Sequence, residues 1–301
     1  MRFAWMLLVC LCACTPHVTD ERQGFDPLLF VPDDIGRAKS VVIAIPGALT
    51  SIRVLIPIEW WRTSDRTIAY YRLPGFDDRP AEEPLSINAA ASRIATFVRD
   101  GQFESVYFVG HSTGAAIALE SAKAIRRTRP DTLIHVAGIS TALPAPQPAL
   151  VGWRGLKGAS AAALRARSLV PREVWLEYYR RISYGPDASV HAETGNRADF
   201  LVQVNDDRIQ LPKRGLGRRH FSAVLGWQNI DPTRLDGVQL DFWHGAVDPI
   251  FPVHHVSRFV DTLPNADLHV LDNHGHVIML TYPDIWSEIA TTWGFQPNTP
   301  D

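Results

Sequence analysis

Residues 110–114 read Gly-His-Ser-Thr-Gly, with an apolar strand-like run before them and a run of small helix formers after. A serine between two glycines, where strand turns into helix, is the pattern of an exposed nucleophile on a tight, strained turn. Bulky neighbours would clash with the flanking strand and helix, and Gly110, Gly114, Ala115 and Ala116 remove that bulk. Helix N-terminal amides beside the hydroxyl also favour negative charge developing there. The competing reading is an N-cap serine that closes the helix and has no other task.

A serine hydroxyl is a poor nucleophile until a base takes its proton, and the base needs an acid partner to orient it. On a parallel αβ sheet the expected chain order is serine, acid, histidine. Asp248 follows a strand-like run in FWHGAVDPIFP, and His276 follows another in LDNHGHVIML. Each has rivals: Asp241 lies within a strand, Asp272 is close to the base in sequence, and His274 competes with His276. Asp248-Pro249 opens a loop that can turn a carboxylate inward, although the same dipeptide also suits a simple turn cap. Gly275 permits close backbone approach immediately before His276. A tetrahedral intermediate needs two N–H donors. One is the residue after the nucleophile, Thr113; the other comes from Pro46-Gly47-Ala48-Leu49, where Ala48 is the choice and an ordinary Pro-Gly turn is the alternative.

These residues need a scaffold that delivers them to one place. SVVIAIPG from Ser40 and TIAYYRLPG from Thr67 are apolar, β-branched runs of the kind buried on both faces of a sheet. SINAAASRIATFVRDG from Ser86 has serine at its start, apolar residues at helical spacing and glycine at its stop. SVYFVG, the helix from Gly114 to Arg127, and TLIHVAGIS continue an alternation of strands and helices that implies right-handed crossovers. The pattern breaks from Thr141 to Asp236, a stretch rich in Pro, Gly and helical pieces, of which REVWLEYYRRI is the clearest helix. It resumes with VQLDFWHG, VHHVSRFVDTL, ADLHVLD and DIWSEIATTWG. The expected fold is therefore α/β, a mainly parallel sheet flanked by helices, with core segments 40–140 and 237–301 and an inserted, mostly helical cap at 141–236. Such a sheet places Ser112, Asp248 and His276 at the C-terminal ends of strands, where open αβ sheets put their sites.

At this point the chain resembles the α/β-hydrolase fold family, roughly from residue 40 to residue 294. The matching segments are Pro46-Gly47, RLPGFDDRP, Gly110 to Gly114, HGAVDPIFP and HGHVI. The resemblance implies an oxyanion loop, a loop near the site, a nucleophile elbow, an acid loop and a histidine loop, with Ser112, Asp248 and His276 as the triad. Two departures blur the subfamily: Pro46 stands where a histidine is common, and Thr113 where many members carry a larger apolar residue. Neither removes a backbone donor.

Composition narrows the remaining choices. The 301 residues are 46% hydrophobic, enough for a substantial core, and the formal net charge is -2. No concentrated basic face marks a nucleic-acid partner, since Arg126-Arg127-Thr128-Arg129 and Lys213 to Arg219 suit helix ends or a Gly-rich loop. Metal chemistry has weak support: adjacent His254-His255 cannot face one point on a helix, and His274-Gly275-His276 lacks a following Asp-His. No metal and no cofactor is expected.

The beginning of the chain is an address. MRFAWMLLVCLCAC joins Arg2 to a short apolar run and small residues, too short to span a bilayer, and reads as a secretory signal over 1–13. All three cysteines, Cys10, Cys12 and Cys14, fall there. Leu11-Cys12-Ala13-Cys14 resembles the lipobox of bacterial lipoproteins, which implies cleavage before Cys14 and acylation of that residue. Residues 14–39 would then be a tether and lead-in to the first strand. The expectation is an exported, membrane-anchored lipoprotein.

The expected activity is cleavage of carboxylic esters, a small-molecule or acyl ester substrate, through an acyl-enzyme. Lactones, thioesters and amides would use the same parts, and a catalytically silent binding protein on the same scaffold is a further alternative. Trp153, Trp175, Tyr178, Tyr179 and Phe200 in the insertion, with SIRVLIPIEWW after the oxyanion loop, could line an apolar substrate site or simply pack as core.

Overall fold

The computed structural model describes residues 27–144, 147–186, 192–205, 208–213, 215–228 and 231–295. The signal segment and Cys14 lie outside the described residues.

Seven strands form one sheet: β1 (Leu28–Phe30), β2 (Ser40–Ile45), β3 (Arg66–Tyr71), β4 (Ser105–His111), β5 (Leu133–Ile139), β6 (Gln239–Gly245) and β7 (Ala266–Leu271). Their order across the sheet is β1-β3-β2-β4-β5-β6-β7. Every neighbouring pair is parallel except β1 with β3. Because strand side chains alternate, Val41, Ile43 and Ile45 of β2 enter one core, and Val42 and Ala44 enter the other. All five are fully buried, which is why the run is apolar throughout instead of alternating.

The helices follow in chain order: α1 (Pro32–Ile35), α2 (Ile87–Asp100), α3 (Thr113–Thr128), α4 (Gln147–Ala166), α5 (Pro171–Tyr184), α6 (Ala192–Val204), α7 (Leu216–Leu225), α8 (Val253–Val260), α9 (Ile278–Thr281) and α10 (Ile285–Thr292). Ser86 caps α2 as its sequence predicts, its side chain accepting the Ala89 N–H. Helices α2, α3 and α8 cover one face of the sheet, where Ile94, Ile117 and Val256 are fully buried. Trp61, Trp286 and Trp293 belong to the core on the other face. Helices α4 to α7 all lie in the chain between β5 and β6, within the stretch where the strand–helix alternation lapses.

Two local features add to the sequence reading. Of the two readings open for SIRVLIPIEWW, packing is the one observed: it forms two short 3-10 helices, Ile52–Val54 and Ile56–Trp61, and Val54, Leu55, Ile58 and Trp61 are core. Trp61 is completely buried, edge-on to Trp286, Trp293 and Phe295 at centroid distances of 6.2, 5.6 and 5.8 Å. The lead-in to the first parallel strand is also structured. Leu28–Phe30 adds an antiparallel edge strand against Tyr71, Tyr70 and Ala69. The four residues between Pro27 and Pro32 are too few to show a period in sequence.

Candidate active site

The chain between β4 and α3 has a single residue in which to turn, and that residue is Ser112. Its backbone sits at φ 52° and ψ -117°, a region L-residues rarely adopt, so the surroundings must hold it. They do: the Ser112 N–H donates to Ile139 O at 2.8 Å, and its carbonyl accepts the N–H groups of Ala115 and Ala142 at 3.0 and 3.1 Å. The flanking glycines have no room for side chains. A Cβ on Gly110 would lie 2.5 Å from Ala115 Cα, and one on Gly114 would run into the Ile45 and Pro46 carbonyls. The strand, the helix and β2 thus converge on a bend that presents the Ser112 hydroxyl outward.

Asp248 lies in the loop after β6 and is 4% exposed. Its Oδ1 accepts the N–H groups of Ile250 and Phe251 at 2.7 and 3.0 Å. That leaves Oδ2 for His276 Nδ1 at 2.8 Å. His276 Nε2 in turn lies 3.1 Å from Ser112 Oγ. Three side chains from widely separated parts of the chain therefore form one hydrogen-bonded line. Burial alone would raise the Asp248 carboxyl, but His276, His244 and the Phe251 N–H hold it below the usual carboxylate range. It stays an anion, able to orient an imidazole and to stabilise its protonated form.

The rivals go elsewhere. Asp241 faces His269 at 3.8 Å, Asp272 is exposed, and His274 Nδ1 pairs with Thr281 Oγ1 at 2.8 Å. His254 and His255 lie side by side on α8, with His255 against Arg258 at the surface.

The histidine loop is pinned from both sides. The N–H groups of Gly275 and His276 donate to Ser183 O and Ile182 O, which are carbonyls of the last turn of α5. Helix ends leave such carbonyls without intrahelical partners, so the loop completes the helix while the helix fixes the loop. A Cβ at Gly275 would collide with Ile182 O, which explains the glycine there. On the other side His111 Nε2 lies 3.1 Å from the His276 carbonyl and must carry the proton that donates to it. Burial, with His276 nearby, pushes His111 down to about 3, so its ring is neutral. His111 was not singled out from sequence, although its place beside Ser112 was the available signal.

Ser112 opens into a cavity of about 140 Å³. Ala48 and Thr113 line it, and among the described residues neither backbone N–H has an acceptor. Gly47 packs onto the elbow so closely that a Cβ would lie 3.0 Å from Ser112 Cβ and 2.5 Å from His111 Nδ1. Trp175, Tyr178, Phe221, Val224 and Phe251 supply much of the apolar wall, and among the described residues no Asp, Glu, Lys or Arg lines it. Of the aromatic residues marked in the insertion, Trp175, Tyr178 and Tyr179 reach the cavity, whereas Trp153 and Phe200 are 67% and 66% exposed.

A seven-stranded, mostly parallel sheet with the Ser112–His276–Asp248 line at the C-terminal ends of its strands has the architecture of the α/β hydrolases. The alpha/beta hydrolase family model matches residues 42–288, and the chain belongs to that family. Solved structures with the same fold include a thermophilic esterase from Thermogutta terrifontis, with TM-score 0.61, 15% identity, and coverage of 88% of this chain and 92% of that one. An enol-lactonase from Burkholderia xenovorans LB400 aligns with TM-score 0.63 and 14% identity over 89% of this chain and 96% of its own. The 2-hydroxy-6-oxo-6-phenylhexa-2,4-dienoate hydrolase from Rhodococcus sp. strain RHA1 aligns with TM-score 0.57 and 19% identity, covering 88% and 92%. At these identities the likeness is one of fold. Among curated protein sequences no match was found.

Proposed function

We propose that the protein is a serine hydrolase of small, uncharged carboxylic esters, acting through an acyl-enzyme. The observation that carries this reading is the line Ser112 Oγ–His276 Nε2–Asp248 at 3.1 and 2.8 Å, opening into a cavity beside two unpaired amides. His276 takes the Ser112 proton as Oγ attacks the acyl carbonyl, and Asp248 holds the imidazole in the tautomer with Nε2 free to accept. The Ala48 and Thr113 N–H groups receive the oxyanion. Collapse expels the alcohol, protonated by His276, and a water activated by the same base releases the acid.

The cavity narrows the substrate. At about 140 Å³ it holds about five groups the size of water, a short acyl chain. An uncompensated carboxylate or ammonium would be strongly penalised there, because none of the described residues that line the wall is charged. Residues 141–236 act in this reading as the cap that supplies Trp175, Tyr178, Phe221 and Val224 to the wall. A lactone, thioester or amide engages the same groups, so the test is a panel. Short-chain p-nitrophenyl esters should turn over fastest, decanoate and hemisuccinate esters poorly. A preference for the charged or long-chain members would refute the assignment.

We further propose that the chain is exported and anchored by an acylated Cys14, on the strength of Leu11-Cys12-Ala13-Cys14 behind Arg2 and an apolar run. Pro27 O accepts the Arg72 N–H at 2.7 Å, and Leu28 pairs with Tyr71 at the C-terminal end of β3. The described chain therefore begins, at Pro27, at the end of the sheet that carries the site. Cys14→Ala should move the protein from the membrane to the soluble fraction, and continued attachment would count against the anchor.

A further inference from the structure

We propose that His220, on α7 of the insertion, is a positioning residue for the oxyanion loop. The inference rests on the hydrolase reading above and adds a residue to it.

Gly47 O accepts the Thr50 N–H at 3.1 Å, closing a four-residue turn with Ala48 and Leu49 at its centre. Leu49 has φ 61°, the sign a type II turn requires at its third residue and one that glycine or asparagine usually supplies. A leucine in that conformation is strained, so the turn needs support from outside. His220 provides it. Its Nδ1 accepts the Leu49 N–H at 3.0 Å, and its Nε2 lies 2.9 Å from Pro74 O, an acceptor only. Nε2 must therefore carry the proton, and one neutral tautomer satisfies both contacts. The side chain is fully buried, and burial pushes its pKa down to about 4, so it remains an acceptor for Leu49 near neutral pH.

The imidazole thus ties together three pieces of chain: the turn that carries Ala48, the loop after β3, and α7. Helix α7 is held to the core at other points as well. Leu216 packs over Gly75, and Arg219 donates to Ala81 O. Phe221 and Val224 of the same helix face the cavity. An acyl group that touches them seats the helix that fixes the oxyanion turn, so substrate contact and transition-state stabilisation share one element. A displaced α7 would leave Leu49 without its acceptor and Ala48 without a fixed direction.

Two variants separate the two hydrogen bonds. In His220→Asn the side-chain oxygen can take the place of Nδ1 and keep the Leu49 contact. In His220→Gln the amide nitrogen can take the place of Nε2 and keep only Pro74. We expect His220→Gln to lower kcat on short-chain esters by about ten- to a hundred-fold, the scale of a misplaced catalytic group, with KM little changed. His220→Asn should recover most of that loss. Affinity for a boronic acid that mimics the tetrahedral state should fall in parallel with kcat. Exchange of the Leu49 amide with deuterium should quicken in His220→Gln alone, a readout that does not depend on turnover. Equal behaviour of the two variants, or unchanged Leu49 exchange, would overturn the proposal. Failure of the hydrolase reading shows separately, as wild-type protein that neither cleaves esters nor binds the boronic acid while the Leu49 exchange difference persists.

Discussion

His276 Nδ1 lies 2.8 Å from Asp248 Oδ2, while Oδ1 of the same carboxylate is engaged by the Ile250 and Phe251 amides. The carboxylate therefore does two things at once: it shapes its own loop and it sets the tautomer of the imidazole. Asp248→Asn separates them. Its oxygen can keep both loop amides, but its NH2 then faces His276 Nδ1 and drives the ring proton to Nε2, where it can no longer accept from Ser112. The expected result is a fall in kcat of about 10⁴-fold with near wild-type thermal stability. Activity within a few-fold of wild type would show that this carboxylate does not orient the base.

The elbow glycines can be tested against a glycine that has space. Gly114→Ala forces a methyl group into the Ile45 and Pro46 carbonyls, and overpacking of this sort costs about 1–3 kcal/mol. It should also blunt reaction at Ser112, since the bend cannot relax without moving β2. Gly155 in α4 has nothing within 4 Å of an added Cβ. Gly155→Ala should stabilise by roughly 0.5–1 kcal/mol through helix propensity. Urea midpoints of the two variants should move in opposite directions.

Stability should fall on mild acidification. Burial holds His111 down to about 3 and His220 to about 4, and it lowers His244 as well. An unfolded histidine titrates near 6.5, so below that pH the unfolded chain takes up protons that the folded chain refuses. Stability is thus lost as pH drops from about 6.5, and His220 stops adding to the loss near its folded value of about 4. Each such group adds about 1.4 kcal/mol per pH unit at most, so the fall from pH 6.5 to 5 should be on the order of a few kcal/mol. Denaturant titrations at the two pH values measure it, and His220→Asn should flatten the slope. Equal stability at both would contradict neutral burial of these rings.

Much of this arrangement was legible in the chain, for reasons that can be named. Strand runs buried on both faces announce themselves as unbroken apolar text, as in Ser40–Ile45. The elbow is legible because its geometry tolerates only small residues at 110 and 114. Order and loop position already favoured Asp248 and His276 over Asp241, Asp272 and His274, and the contacts to Ser112 bring those two together in one line. His220 was not found, although a local signal existed. Leu216, His220 and Val224 fall at i, i+4 and i+8 and are all buried, so a polar side chain stood on the apolar stripe of α7. Its partners, Leu49 and Pro74, lie 171 and 146 residues away, and no local pattern points to them. SIRVLIPIEWW stayed open between core and substrate lining because apolar text says that a segment is buried and not against what.

The most direct measurement is covalent. A fluorophosphonate probe, followed by digestion and mass spectrometry, should add one label to the wild-type peptide that contains Ser112 and none to Ser112→Ala. The variant should keep its fold by circular dichroism and lose p-nitrophenyl ester turnover. Label on another residue, or equal labelling and turnover in both proteins, would contradict Ser112 as the nucleophile.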